Sequence, residues 1–233
     1  MNAILTADCV AKSYGDRRVL SSATLRAVPG ELRVLFGRNG IGKSTLLKIA
    51  AGWTSPDSGT VHFAGRAYET TSLPELAAQG LFYLPDHDLL SSAFTVRRQL
   101  EMIRCQFDAG NVTEAADRVG ITAFLDRRPA SLSGGERRRA ELAAVLVRRP
   151  SCLLADEPYR GIAPKDVEDI TAIFTQLTGD GMAVVITGHE VPTLLDAADH
   201  VSWCTSGTTY ELGPPSTAIQ HEAFRSEYLG QAS

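Results

Sequence analysis

Lys43 and Ser44 stand at the end of Gly37-Arg38-Asn39-Gly40-Ile41-Gly42-Lys43-Ser44-Thr45, and this spacing is the pattern G-x-x-x-x-G-K-[ST]. Glycines let the backbone turn sharply and bring its N–H groups close to phosphate oxygens. A helix beginning at the same point adds unpaired N–H groups and a partial positive charge. Lys43 supplies a full charge for the β- and γ-phosphates of a nucleoside triphosphate, and the Ser44 hydroxyl suits Mg²⁺. A second stretch, Cys152-Leu153-Leu154-Ala155-Asp156-Glu157-Pro158, is an apolar strand ending in two carboxylates. Asp156 at the strand end can hold Mg²⁺, usually through water. On an extended chain Glu157 points the opposite way, so it can address another atom, such as an attacking water, as general base. A third stretch is Leu132-Ser133-Gly134-Gly135-Glu136. Ser133 with Glu136 three residues on is a capping box for an amphipathic helix running to Arg149. The paired glycines there leave backbone N–H groups open, a second place for an anion.

The elements that must position these groups are legible around them. Leu32–Phe36 reads as a buried strand before the glycine loop, and Leu46, Leu47, Ile49 and Ala50 lie at helical spacing after it. Ile4 to Lys12 and Arg17 to Leu25 read as strands about a turn at Gly15-Asp16, with Tyr14 between them. Thr60–Phe63 is a short strand followed by a turn at Ala64-Gly65, Leu73–Gln79 a short helix, and Leu81–Leu84 a strand stopped by Pro85. Val96–Phe107 and Val112–Val119 have helical spacing. Strand and helix then alternate through 152–155, 165–177, 182–187 and 191–198 to a late strand pair at 201–203 and 208–212. A helical tail is expected over 216–229. Strands alternating with helices imply an α/β domain with a mainly parallel sheet, and the helical block near 91–149 reads as an inserted lobe.

Composition bounds the function further. The 233 residues are 44% hydrophobic and 21% charged, ordinary for one large globular domain. A net charge of −4 argues against nucleic acid as the main partner. The short arginine runs (Arg127-Arg128, Arg137-Arg138-Arg139, Arg148-Arg149) fall on helix-like segments and read as solvated faces. The four cysteines are scattered without a C-x-x-C pair, so no metal or disulfide framework is expected and a reducing compartment is the simplest setting. No run is long enough to span a membrane and Met1-Asn2-Ala3-Ile4-Leu5 lacks signal-peptide character, so if the protein works at a membrane, something else must hold it there.

In this order the glycine loop, Leu132-Ser133-Gly134-Gly135-Glu136 and Asp156-Glu157-Pro158 resemble the nucleotide-binding subunit of ATP-binding cassette (ABC) transporters, over essentially the whole chain. The resemblance implies a P-loop NTPase core of RecA type, an N-terminal antiparallel β subdomain and an inserted helical subdomain. The core would span about 1–88 and 150–233, and the helical subdomain about 89–149. It implies ATP and Mg²⁺ as cofactors, and ATP hydrolysis as the reaction. Its partners would be transmembrane permease subunits and a second nucleotide-binding subunit, identical or not, with no nucleic acid. The chain would sit in the cytoplasm, peripheral to the inner face of the membrane. Two copies would pair head to tail, with Ser133, Gly134 and Gly135 of one reaching the γ-phosphate held by residues 37–45 of the other. Tyr14 resembles the aromatic residue that stacks on adenine, and His189, in Ile186-Thr187-Gly188-His189, resembles the switch histidine at the γ-phosphate. Lys43, Glu157 and His189 would then be catalytic, and Ser44 and Asp156 metal ligands.

Two positions depart from the family pattern. Asp86 stands where the family has a Gln that contacts Mg²⁺. A carboxylate can bind the ion but cannot donate as an amide does. Ala163 stands where the family has an Asp linking the two sites across the dimer, and its side chain accepts no hydrogen bond. Arg38 and residues 156–161 resemble the branch that includes branched-chain amino-acid uptake and lipopolysaccharide export ATPases. Two other readings stay open: a cassette ATPase with no transport role, and a nucleotide-dependent regulator that hydrolyses poorly.

Overall fold

The computed structural model describes residues 2–68, 70, 72–107, 110–188 and 191–228. The chain opens with a hairpin, β1 (Leu5–Tyr14) and β2 (Arg17–Ala27), in which Tyr14 pairs with Arg17. Its two-residue turn places Gly15 at φ 58°, the left-handed conformation that a tight hairpin needs. Tyr14 and Arg17 therefore share the hairpin tip. β3 (Leu32–Phe36) runs into α1 (Lys43–Ala50). β4 (Ser58–Phe63) and β5 (Arg66–Tyr68) form a second hairpin, and α2 (Leu73–Ala78) leads into β6 (Leu81–Leu84). The helical block is α3 (Val96–Phe107), α4 (Val112–Arg118) and α5 (Gly134–Arg148). Then come β7 (Cys152–Ala155), α6 (Pro164–Gly179), β8 (Ala183–Gly188), α7 (Val191–Ala197), β9 (His200–Thr205) and β10 (Thr208–Gly213), followed by α8 (Pro215–Ala218) and α9 (Glu222–Tyr228).

The strands form one sheet in the order β5-β4-β1-β2-β10-β9-β3-β8-β7-β6. From β9 to β6 every pairing is parallel, and from β5 to β2 every pairing is antiparallel. The alternation of strands and helices accounts for the first half. The antiparallel half is built from hairpins, which alternation does not report. β3 is buried at all five residues between β8 and β9, as a strand covered on both faces must be. Its side chains divide by parity: Leu32, Val34 and Phe36 join the core shared with α3–α7, whereas Leu35 joins the core formed with α1, β1 and β2. The carboxyl ends of β3, β7 and β8 lie side by side, so Gly37, Asp156 and Gly188 emerge together at one edge. Ligands of open α/β sheets bind at that edge.

Three local expectations need correction. The tail is two helices rather than one, and the His221 ring accepts the Phe224 N–H at 3.3 Å, capping the second one afresh. Its expected last residue, Leu229, lies outside the described residues. β5 was not foreseen, because three residues after a turn carry no readable alternation. Glu157 is not on an extended segment: β7 stops at Ala155, and Glu157 takes a left-handed φ of 41°.

Candidate functional site

The glycine loop from Gly37 to Thr45 joins β3 to α1 as expected. Gly40 and Gly42 have φ of 76° and 119°. A Cβ on Gly42 would come within 2.8 Å of the Leu20 side chain, and one on Gly37 within 2.8 Å of the Cys204 carbonyl. Gly37 therefore needs glycine for space, Gly40 for conformation, and Gly42 for both. No side chain caps Gly42, so the first-turn N–H groups of α1 stay open to a ligand. Lys43 is buried, with only 3% of its surface exposed, and its Nζ donates to the Gly37 carbonyl at 2.6 Å and the Arg38 carbonyl at 3.3 Å. Arg38 points outward, with its Nε 3.5 Å from Glu227, and Asn39 is exposed.

The two carboxylates that follow β7 have different partners. Asp156 is fully buried. Its Oδ1 accepts from Ser44 Oγ at 3.0 Å and Thr187 Oγ1 at 2.8 Å, and its Oδ2 accepts from the Tyr83 hydroxyl at 3.2 Å. Burial, together with the adjacent Asp156 charge, pushes the Tyr83 hydroxyl far above its ordinary pKa, so it stays a donor. Thr187 also accepts the Glu157 backbone N–H at 2.8 Å. That contact fixes the left-handed residue and turns its carboxylate toward Lys43, with Oε1 3.6 Å from Nζ. The two acids thus do face different atoms, through a left-handed turn held by Thr187. Ser44 and Asp156 offer hard oxygen donors side by side, a set that fits Mg²⁺.

A cleft of about 260 Å³ lies over this network, bordered by Tyr14, Arg17, Val19, Gly40, Lys43 and Glu157 among others. Tyr14 is half exposed, its ring 5.7 Å from the Lys12 ammonium. Arg17 donates to the Gly40 carbonyl at 3.2 Å, tying the hairpin tip to the glycine loop. Arg17, Tyr83 and Thr187 are the residues that sequence reading missed. Only the hairpin register, which pairs Tyr14 with Arg17, could have pointed to the first.

Asp86 lies apart from this network, and so does the Ser133 stretch, which is expected to serve a partner's site rather than its own. The Asp86 carboxylate pairs with Arg160 Nη1 at 2.7 Å and His87 Nδ1 at 3.0 Å. Burial pushes its pKa up, but His87 and Arg160 outweigh that and hold it below the usual carboxylate value. Among the described residues no hydrogen bond joins Asp86 to Ser44 or Asp156. Ser133, Gly134 and Gly135 border a separate cavity of about 340 Å³ that shares no residue with the first. The capping box is present there: Glu136 N–H donates to Ser133 Oγ at 3.3 Å, and Ser133 N–H to Glu136 Oε2 at 2.8 Å. Gly134 and Gly135 have no room for a Cβ, which would lie 2.7 Å from the Gly161 carbonyl and 2.4 Å from Asp166 Oδ2 respectively. His189 lies outside the described residues.

The family model described as "ABC transporter" matches residues 20–160. The chain belongs to the ABC transporter family, among its ATP-binding subunits. This cassette is 33% identical to the lipopolysaccharide export system ATP-binding protein LptB of Haemophilus influenzae, over 98% of both chains. It is 35% identical to the hemin import ATP-binding protein HmuV of Thermobifida fusca, over 91% of this chain and 78% of that one. In fold it matches the ADP conformation of MJ1267, an ATP-binding cassette of an ABC transporter, with a TM-score of 0.85 at 22% identity, over 99% of this chain and 100% of that one. It also matches a bacterial Atm1-family ABC exporter with ATP bound, with a TM-score of 0.84 at 22% identity, over 98% of this chain and 42% of that one. Among the described residues of the cassette, no helix is long and apolar enough to cross a membrane.

Proposed function

We propose that this cassette hydrolyses ATP with Mg²⁺ as one half of a head-to-tail pair, and that closure and reopening of the pair drive transport through separate transmembrane subunits. The observation that carries the reading is the convergence of three distant segments. Lys43 and Ser44 from the glycine loop meet Glu157 at 3.6 Å and Asp156 at 3.0 Å, while Thr187 from β8 holds both acids. Residues Gly37 to Thr45 wrap the phosphates with backbone N–H groups, and Lys43 neutralises charge on the β- and γ-phosphates. Ser44 and Asp156 would hold Mg²⁺, which supplies charge neutralisation at the phosphate oxygens. Glu157 takes a proton from water as its oxygen bonds to the γ-phosphorus, and the bridging oxygen leaves with ADP. Ser133, Gly134 and Gly135 of the partner subunit close the site, Tyr14 stacks on adenine, and His189 contacts the γ-phosphate. Asp86 remains a candidate metal contact only if it leaves Arg160.

The separation of the two cavities supports pairing, since one protomer keeps Ser133 away from its own Lys43. An apolar groove between α2, β6 and α3, with Phe82, Ile103 and Phe107 on its walls, supports docking of a transmembrane subunit beside the helical lobe. Exposed Trp53 and Met102 supply further apolar surface. Such docking would place the cassette on the inner face of the membrane. The test is the ATP hydrolysis rate of the purified chain against its own concentration. The reading expects a rate per molecule that climbs with concentration and vanishes in Glu157→Gln. A rate per molecule independent of concentration, or retained in the variant, would overturn it.

A further inference from the structure

We infer that Lys165 is a nucleotide-binding residue acting in trans, placing its ammonium against the phosphates held by the partner subunit. The inference rests on the head-to-tail reading above. Lys165 borders the same 340 Å³ cavity as Ser133, Gly134 and Gly135, and its side chain is exposed to it. The other charged groups there are Glu136, Arg139 and Asp166. Arg139 is committed to Asp166 at 3.1 Å and to Asp169 at 3.9 Å, and Glu136 to the capping box. Lys165 forms no ion pair with any described residue. The cavity charges therefore sum to zero with Lys165 and to a net negative charge without it. A negative cavity would repel the polyphosphate it has to meet.

The helix that carries Lys165 gives a second, independent reason. α6 begins with Ala163 as N-cap, which makes no side-chain hydrogen bond, and places Lys165 in its first turn. Alanine is a poor N-cap, and a cation there opposes the positive end of the helix dipole. Pro164 at the first helical position and Asp166 in the first turn are what favour the start of this helix, so neither Ala163 nor Lys165 is accounted for by capping. Both choices instead make the face around Ser133 more attractive to an anion. Ala163 removes the acid that the family pattern carries, and Lys165 adds a cation. The same substitution that weakens hydrogen bonding between the two sites would thus strengthen each site's hold on the nucleotide opposite.

The experiment measures ATP-driven mass doubling of the Glu157→Gln chain by sedimentation, with Mg²⁺ present. Adding Lys165→Gln should raise the ATP concentration for half-maximal pairing about tenfold, the effect of one pKa-unit-sized interaction. Lys165→Arg should stay within about threefold, and Lys165→Glu should weaken pairing further than Lys165→Gln. Binding of a fluorescent ATP analogue to the unpaired protomer should stay within about twofold, because that site lies on the other cavity. A merely structural role would move both readouts together. Identical pairing curves for Lys165→Gln and its parent would overturn the assignment while leaving the pairing reading intact. A Glu157→Gln chain that never doubles in mass at millimolar ATP would overturn the pairing reading and the assignment with it.

Discussion

Replacing Thr187 by Val should damage both the fold and the chemistry while leaving nucleotide binding nearly intact. The Thr187 hydroxyl is fully buried, donates to Asp156 Oδ1 at 2.8 Å, and accepts the Glu157 N–H at 2.8 Å. Valine keeps the shape and loses both contacts. A buried hydrogen bond to an ionised group contributes about 1.5–3 kcal/mol, and an orphaned donor costs about 1–3 kcal/mol. The Glu157 N–H is only part-buried, so the lower end of the second range applies and the sum is about 3 kcal/mol. For a chain of this size that lowers the melting temperature by about 6–12 °C. Glu157 also loses the contact that holds its left-handed backbone, a conformation that costs a non-glycine residue about 1–3 kcal/mol. A relaxed Glu157 would misplace the proposed general base, and a displacement of about 1 Å costs about 100-fold in kcat. KM for ATP should stay within about threefold, since Lys43 and the glycine loop are untouched. Urea unfolding and phosphate release on Thr187→Val and Thr187→Ser separate the parts, because serine keeps the hydroxyl and should keep most of both properties. A Thr187→Val chain with kcat within about twofold of the parent would refute the role given to the Thr187–Glu157 contact.

Arg138 and Glu141 form a buried ion pair at 2.8 Å, which also carries the Pro85 carbonyl and the Leu89 N–H. Arg138→Met should cost about 3–5 kcal/mol in urea unfolding by stranding Glu141, and Arg138→Met with Glu141→Leu should recover more than half of that. Asp57 is held below its usual carboxylate pKa by the Lys12 hydrogen bond first and the Ser13 N–H second. A depressed folded pKa gives stability that is present above the unfolded value and lost as pH falls through the folded one. Melting curves should therefore show Asp57→Asn losing less stability than the parent between about pH 5 and pH 2. Burial pushes the Cys152 thiol up to about 12 and the Cys204 thiol up to about 11, while Cys9 and Cys105 are exposed. Mass spectrometry should then find a maleimide on Cys9 and Cys105 alone in the native chain at pH 7.5, and on all four after unfolding.

Lys43, Ser44 and Asp156 were legible because each belongs to a spacing that chemistry imposes, and the strand–loop–helix around Lys43 followed from apolar periodicity. Glu157 was legible by residue type, though not by geometry: adjacency to a strand suggested an extended backbone, and only the Thr187 hydroxyl explains the left-handed one. Thr187 and Tyr83 were hidden because strand residues with buried polar tips read as ordinary core. The ion pair between Asp86 and Arg160 joins the loops that follow two neighbouring strands, β6 and β7, and no local pattern reports which strands are neighbours. The β1–β2 hairpin was legible from its turn at Gly15-Asp16, but the antiparallel half as a whole came from the family resemblance, since the pairing of β4 with β1 is a tertiary choice. The capping box at Ser133 was fully local, and it formed as read.

The central claim is that one complete site takes its parts from two copies of the chain. The most direct measurement mixes two variants that should each be inactive, Lys43→Ala, which spoils the glycine loop, and Ser133→Arg, which fills the cavity at Ser133. At equal mixing about half of the pairs contain one of each, and each such pair keeps one intact site of its two. The account predicts that phosphate release returns to about a quarter of the parent rate in the mixture. A mixture as inactive as its components, with both variants folded and pairing, would contradict it.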